Sequence, residues 1–160
     1  MGDTISIQRA GDVIPKITSV IKKSQNPVSI KFPEQCPSCN SELKRLENEA
    51  AIRCLNSRNC SEQKIYSLIH FVSRNAFDIS GLGEKQIRIF WKKGYILNFH
   101  DIFLLEDKIY NKEINLKEIE GFGEKSISNL LSSIKLCKNI SFDKFIFSLG
   151  IRHVGQGLAL

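Results

Sequence analysis

The stretch that decides the fold is residues 36–60, CPSCNSELKRLENEAAIRCLNSRNC. It sets Cys36 and Cys39 two residues apart, then Cys54 after a further 14, then Cys60. Two thiol pairs joined by a short polar hairpin suit tetrahedral Zn2+. Cys36-Pro37-Ser38-Cys39 forms a knuckle that aims two sulfurs at one ion. The runs Leu43-Lys44-Arg45-Leu46 and Ala51-Ile52-Arg53, flanking Glu47-Asn48-Glu49, read as the hairpin that returns Cys54 to it. The stretch has few large apolar side chains, so a core alone cannot order it. Zinc binding supplies on the order of 10–16 kcal/mol in comparable peptides. A redox Cys-x-x-Cys has no need of a second pair, and the spacing does not resemble an iron–sulfur cluster. With four sulfurs the shell is closed, leaving no place for a catalytic water. Lys44, Arg45, Arg53 and Arg58 around it could attract an anion. Cys137 stands apart, one turn beyond Ile134 on a helical face, and reads as a core residue.

On the N-terminal side, Ile5 and Ile7 alternate with polar neighbours, as do Val28, Ile30 and Phe32, and Gly11-Asp12 suits a turn. A few strands without a partner sheet cannot bury a core. Residues 1–32 therefore read as the tail of a β domain.

On the C-terminal side the period becomes helical from Lys64. Ile65, Leu68, Ile69 and Val72 fall on one helical face. So do Ile127, Leu130, Leu131 and Ile134, and again Phe142, Phe145, Ile146 and Leu149. All four prolines lie at or before Pro37, so nothing stronger than glycine interrupts these helices. Their stripes are expected to pack on one another in one small all-α core.

Within this half lies a repeat. Ile79-Ser80-Gly81-Leu82-Gly83-Glu84-Lys85-Gln86-Ile87 matches Ile119-Glu120-Gly121-Phe122-Gly123-Glu124-Lys125-Ser126-Ile127 in register. A degenerate third copy, Ile151-Arg152-His153-Val154-Gly155-Gln156-Gly157-Leu158-Ala159, keeps the second glycine and puts His153 in place of the first. Each copy reads as a turn between helices. Glycine permits positive φ and close approach of a ligand to the backbone. A helix that starts on glycine presents its free N–H groups without side-chain bulk, which suits phosphate. Lys85 and Lys125 sit in the first helical turn, against the local dipole; a phosphate offsets that cost, and Glu84 and Glu124 oppose it. The plain alternative is a glycine-bearing turn with no ligand. Repetition favours a grip on successive phosphates without base reading. His70 and His100 read as incidental, with His100 just ahead of a helix start. Trp91, with Phe90 and Tyr95, reads as packing behind the first turn.

The 160 residues carry 23 Lys+Arg and 17 Asp+Glu, with 42% apolar and 25% charged residues. That composition suits a folded protein rather than a disordered one, and the net charge of +6 favours an anionic partner. No run is apolar enough to span a membrane, and no leader is visible after Met1. A P-loop, a Gly-x-Ser-x-Gly elbow, an acidic two-metal cluster and a lysine placed for nucleotide adduct formation are all missing.

The order of parts resembles the middle of bacterial NAD+-dependent DNA ligases. Arg9-Ala10-Gly11-Asp12-Val13-Ile14-Pro15 is similar to a segment late in that family's OB domain. Phe32-Pro33, Cys36-Pro37, Cys39, Arg53-Cys54 and Cys60 resemble its zinc pattern. His70-Phe71-Val72-Ser73-Arg74 resembles the lead into its first hairpin, and Gly121–Ser126 and Leu149–Gly155 its later hairpins. Gln156-Gly157 departs from the family's usual Glu-Ala-type continuation.

The resemblance implies a mostly α chain with small β parts. It would comprise the C-terminal remnant of an OB-fold (residues 1–32), a four-cysteine zinc finger (33–63) and a helix–hairpin–helix array (64–160) cut within its third hairpin. Zinc would sit on Cys36, Cys39, Cys54 and Cys60. Nicked double-stranded DNA would be gripped by Gly81, Gly83, Lys85, Gly121, Gly123, Lys125, Arg152, His153 and Gly155. In the full-length enzyme a lysine of an adenylation domain takes AMP from NAD+, and Mg2+ assists sealing. That domain, a fourth hairpin and a BRCT domain are expected outside this stretch, which would be inactive alone, monomeric, and cytoplasmic at the nucleoid. A free-standing DNA-binding adaptor, and a protein-interaction module whose zinc and hairpins are purely structural, are the competing expectations.

Overall fold

A computed structural model describes residues 1–11, 14–47 and 49–160. Asp12 of the expected first turn, Val13 of the Arg9–Pro15 segment and Asn48 at the tip of the expected zinc hairpin lie outside the described residues.

The chain begins with two antiparallel strands, Thr4–Ala10 (β1) and Ile14–Lys22 (β2), pairing Ile5 with Val20 and Ile7 with Ile17. Register shifts after Thr4 and Ser6 mark irregularities in the ladder. Ile7, Ile14, Ile17, Val20 and Ile21 are exposed, so this hairpin carries apolar side chains without a core beneath them. The alternation at Val28, Ile30 and Phe32 does not produce a strand, and all three are exposed. An alternating pattern needs a neighbouring strand to complete its hydrogen bonds, and here none lies alongside. Instead the segment folds back over the open end of the hairpin. The Met1 ammonium donates to the Val28 carbonyl at 2.7 Å, and the Ser24 N–H to the Asp3 carboxylate at 2.7 Å.

Next comes a three-residue ribbon, Leu43–Arg45 (β3) against Ile52–Cys54 (β4), pairing Leu43 with Cys54. It matches the expected hairpin. The first helix, Ser61–Val72 (α1), starts three residues before Lys64, where the period was expected to change. Cys60 is its N-cap and Glu62 complements the dipole in its first turn.

The remaining helices are Glu84–Lys92 (α2), Phe99–Phe103 (α3), Leu105–Tyr110 (α4), Glu124–Leu136 (α5), Phe142–Ser148 (α6) and Gln156–Ala159 (α7), with a 3-10 turn at Leu116–Glu118. His100 lies inside α3 rather than ahead of it. Asn98 caps that helix in a reciprocal box with Asp101. One continuous core runs from Ile65 to Cys137. It takes Ile65, Leu68 and Val72 from the first expected stripe, and Leu130 and Ile134 from the second. Phe71 stacks on Phe77 and Phe99, and Phe90 lies 5.4 Å from Phe122, behind the repeat turns. Trp91 and Tyr95 pack against this core half-buried, and Cys137 is buried, both as expected.

The third stripe behaves differently. Phe142, Phe145 and Leu149 are exposed, and the buried residue of α6 is Ser148. Where α6 meets α1, the Phe147 ring lies 4.7 Å from the His70 ring. His70 hydrogen-bonds through Nε2 to the Phe147 carbonyl at 2.8 Å, and the imidazole lies against Gly150. His70 is therefore a tether between two helices, not an incidental side chain. Among the described residues no helix is long and apolar enough to cross a membrane.

Candidate metal centre and nucleic-acid interface

The four cysteines expected to bind metal converge. Their sulfurs all lie within 4.8 Å of one another, with Cys36 to Cys60 at 3.9 Å and Cys39 to Cys54 at 3.5 Å. A tetrahedron with Zn–S bonds of about 2.3 Å has edges of about 3.8 Å, so the donor set fits one zinc ion with small side-chain adjustment. Local backbone bonds build each corner. In the first, Cys36 N–H donates to the Ser41 carbonyl and Asn40 N–H to the Cys36 carbonyl, each at 2.8 Å. Asn40 takes φ +56°, which its short amide tolerates. In the second, Cys60 N–H donates to the Asn56 carbonyl at 2.9 Å, and the Asn56 amide reaches across to the Ser41 hydroxyl at 2.9 Å.

Cys39 and Cys54 are pushed in opposite directions. The Ser41 hydroxyl and N–H bring Cys39 down to about 6. At Cys54 the Asn56 N–H pulls downward, but burial and the adjacent Cys39 and Cys36 carry the thiol up to about 11. Two sulfurs this close cannot both be anionic near neutral pH without a cation between them, so the donor chemistry calls for a thiophilic divalent ion.

The three repeat turns share one backbone form. Their first positions, Gly81, Gly121 and His153, have φ of +91°, +87° and +66°. Their third positions, Gly83, Gly123 and Gly155, have φ/ψ of −77/180°, −79/175° and −85/179° and are the N-caps of α2, α5 and α7. Each turn is closed by the same hydrogen bond, from Leu82, Phe122 or Val154 N–H to the carbonyl of Ile79, Ile119 or Ile151. Histidine thus adopts at position 153 the left-handed conformation that glycine takes in the other two copies. The apolar residue between them anchors each turn: Leu82 and Phe122 are buried and Val154 half-buried, while the flanking glycines are exposed.

No side chain caps α2, α5 or α7, so their first N–H groups remain available. A Cβ at Gly121, Gly123 or Gly155 would meet no atom within 4 Å, so these corners stand clear of the rest of the chain. The first turn is closer packed: Leu130 of α5 lies 3.6 Å from a Cβ at Gly81, the Gln86 amide oxygen 3.3 Å from one at Gly83, and the Ser133 hydroxyl accepts the Ser80 N–H at 2.9 Å.

The acidic residues at the helix starts are engaged internally. Glu84 accepts Arg88 Nε at 2.9 Å and Glu124 accepts Lys117 Nζ at 2.7 Å; that ammonium holds the Glu124 carboxyl below its usual range. Lys85 and Lys125 are exposed and, among the described residues, have no ion-pair partner. Arg152 is instead paired with Glu49 of the cysteine hairpin, which also holds Arg53. Sequence reasoning did not find Glu49, Arg88 or Ser133. Only the Glu84–Arg88 pair leaves a readable trace, its i,i+4 spacing.

Residues 35–61 match the family described as NAD-dependent DNA ligase C4 zinc finger domain. The chain is 52% identical over 157 residues to a DNA ligase of Wolbachia pipientis wMel, covering 97% of this chain and 23% of that protein. A Rhodopseudomonas palustris (strain BisB5) DNA ligase is 48% identical over 160 residues, 99% of this chain and 22% of its own length. An Ehrlichia canis (strain Jake) DNA ligase is 46% identical over 160 residues, 99% and 24%. Over nearly its whole length the chain is similar to one stretch of bacterial DNA ligases. It spans about a quarter of the length of these ligase relatives, and its four-cysteine cluster lies inside the zinc-finger match.

Proposed function

We propose that this chain is the part of an NAD+-dependent DNA ligase that grips the sugar–phosphate backbone of nicked duplex DNA. Its domains are residues 1–32, the end of an OB-fold; 33–63, a structural zinc finger; and 64–160, a helix–hairpin–helix array. Cys36, Cys39, Cys54 and Cys60 hold the zinc, which supplies folding energy to a hairpin with little core. The N–H groups after Gly83, Gly123 and Gly155 receive phosphate oxygens, and Lys85 and Lys125 add charge. Gly81, Gly121 and His153 set the turns, and Arg152 at the third would serve as a DNA cation only by exchanging Glu49 for phosphate. Adenylation by NAD+ and the Mg2+-assisted sealing step belong to the whole protein, through residues that this stretch does not contribute.

The observation that carries this reading is the threefold recurrence of one backbone form, open at the second and third copies, with uncapped helix starts and cations beside the first two. A turn needed only to join helices has no reason to leave the following helix start without a side-chain cap three times over. Backbone contacts of this kind position a duplex without reading sequence.

Titrating the protein with nicked duplex at several salt concentrations tests it. Affinity should fall steeply and linearly in log–log form, with little dependence on sequence. An interaction module with purely structural turns would show no salt-dependent DNA binding, and that result would refute the proposal.

A further inference from the structure

The first glycine turn differs from the second in what holds it. Glu84, directly after Gly83, is bonded to Arg88 Nε at 2.9 Å. The same guanidinium reaches to α1, where Nη1 bonds both carboxylate oxygens of Glu62 at 2.9 and 3.0 Å. It also lies over the Tyr66 ring, 5.3 Å from the centroid. Glu62 sits two residues past Cys60, and its N–H donates to the Ser38 hydroxyl of the Cys36–Cys39 knuckle at 3.4 Å. The Ser38 and Ser61 hydroxyls are bonded to each other at 3.1 Å. A continuous series of polar contacts therefore runs from the metal knuckle through α1 to the start of α2. At the second turn, Glu124 is held by Lys117, seven residues earlier on the 3-10 turn.

An isolated i,i+4 ion pair on a solvated helix face stabilises little. Arg88 is different because its planar fork joins two helices and stacks on a ring, a role that a flexible ammonium cannot reproduce.

We propose that Arg88 is a positioning residue: it ties the first glycine turn to the four-cysteine knuckle, so that the metal-ordered hairpin sets where that turn stands. Its consequence for DNA rests on the proposed grip on duplex; its consequence for the turn does not.

Amide hydrogen exchange on the zinc-loaded chain separates the two. Ile87 N–H closes the first turn of α2 on the Gly83 carbonyl, and Ile127 N–H does the same for α5 on Gly123. In Arg88→Met, with zinc content unchanged, exchange at Ile87 should rise about fivefold while Ile127 stays as in the parent. Glu62→Gln, which leaves Arg88 and Glu84 in place, should move Ile87 in the same direction by less. Affinity for nicked duplex should fall by a similar factor in Arg88→Met, and Arg88→Lys should recover part of it.

Unchanged exchange at Ile87 in both variants would overturn the inference. So would equal rises at Ile87 and Ile127, which would mark general loosening, or a loss of affinity without a rise at Ile87, which would make Arg88 a direct contact. If Ile87 responds as expected but the parent chain binds no duplex, Arg88 still positions the turn and the DNA-gripping role is what fails.

Discussion

Residues 34–60 and residues 65–137 reach order by different means. The helical stretch buries large apolar side chains from every element along it, with Leu68, Phe90, Ile102 and Leu130 fully enclosed. Among the described residues the cysteine hairpin has six in its ladder, buries only Cys36 and Cys60, and leaves Ile52 and Leu55 exposed. Burial returns roughly 25 cal/mol per Å2 of apolar surface, so a stretch with so little of it depends on bonds to a metal. The difference teaches which damage each region tolerates. The hairpin should be sensitive to one atom type at four places, the helical stretch to lost volume anywhere within it.

The largest expected effect lies on the metal side. Cys36→Ser or Cys60→Ser should release zinc and unfold residues 33–60, removing a contribution on the order of 10 kcal/mol. Metal analysis and circular dichroism would show it, and a retained hairpin fold without metal would break the comparison. Cys60 holds the N-cap position of α1 without a side-chain capping bond, and serine is a favoured cap, so both variants should spare that helix.

On the core side, Leu130→Ala should cost about 2–5 kcal/mol by chemical denaturation, since Leu130 is fully buried and backs Gly81. Zinc stoichiometry should not change; metal loss in this variant would mean that the two regions fold as one.

A smaller effect concerns acid. Burial opposes ionisation of Asp101, but the Leu97 N–H, the Lys108 ammonium and the Asn98 N–H together hold its carboxyl below the usual carboxylate range. A carboxyl depressed in the folded state adds stability above its unfolded pKa and loses it as pH falls through the folded one. Asp101→Asn should therefore lower stability by about 1 kcal/mol at pH 7, and the two proteins should converge as pH falls through the depressed pKa of that carboxyl. A stability gap that persists undiminished in acid would contradict the assignment.

The smallest effect is at the third turn. His153→Gly should stabilise the chain by up to about 1 kcal/mol, because glycine adopts φ +66° without side-chain strain. A loss of stability would show that the imidazole makes a contact worth more than the strain.

How far these features could be read from sequence follows from their range. The cysteine spacing, the hairpin between the pairs and the three glycine turns are local patterns, and the structure holds each of them. The turn at His153 is instructive: a degenerate copy keeps the backbone form and the closing bond from Val154 N–H to the Ile151 carbonyl without its first glycine. Patterns that need a partner were read less well. Val28, Ile30 and Phe32 alternate like a strand but have no neighbouring ladder, and the Phe142–Leu149 stripe has the helical period but lies largely outside the core. Periodicity reports which side chains share a face, not whether another element covers that face. The ties through Arg88, His70 and Glu49 join residues 26, 77 and 103 positions apart, and no local rule points to them.

The central claim is that main-chain amides at the glycine turns receive DNA phosphates. Amide chemical shifts, followed while nicked duplex is added at low salt, test it most directly. The account predicts that the N–H signals of residues 83–86 and 123–126 move first, with Gly155 and Gln156, and that added salt returns them together. Signals at those positions that stay fixed while others titrate would contradict it.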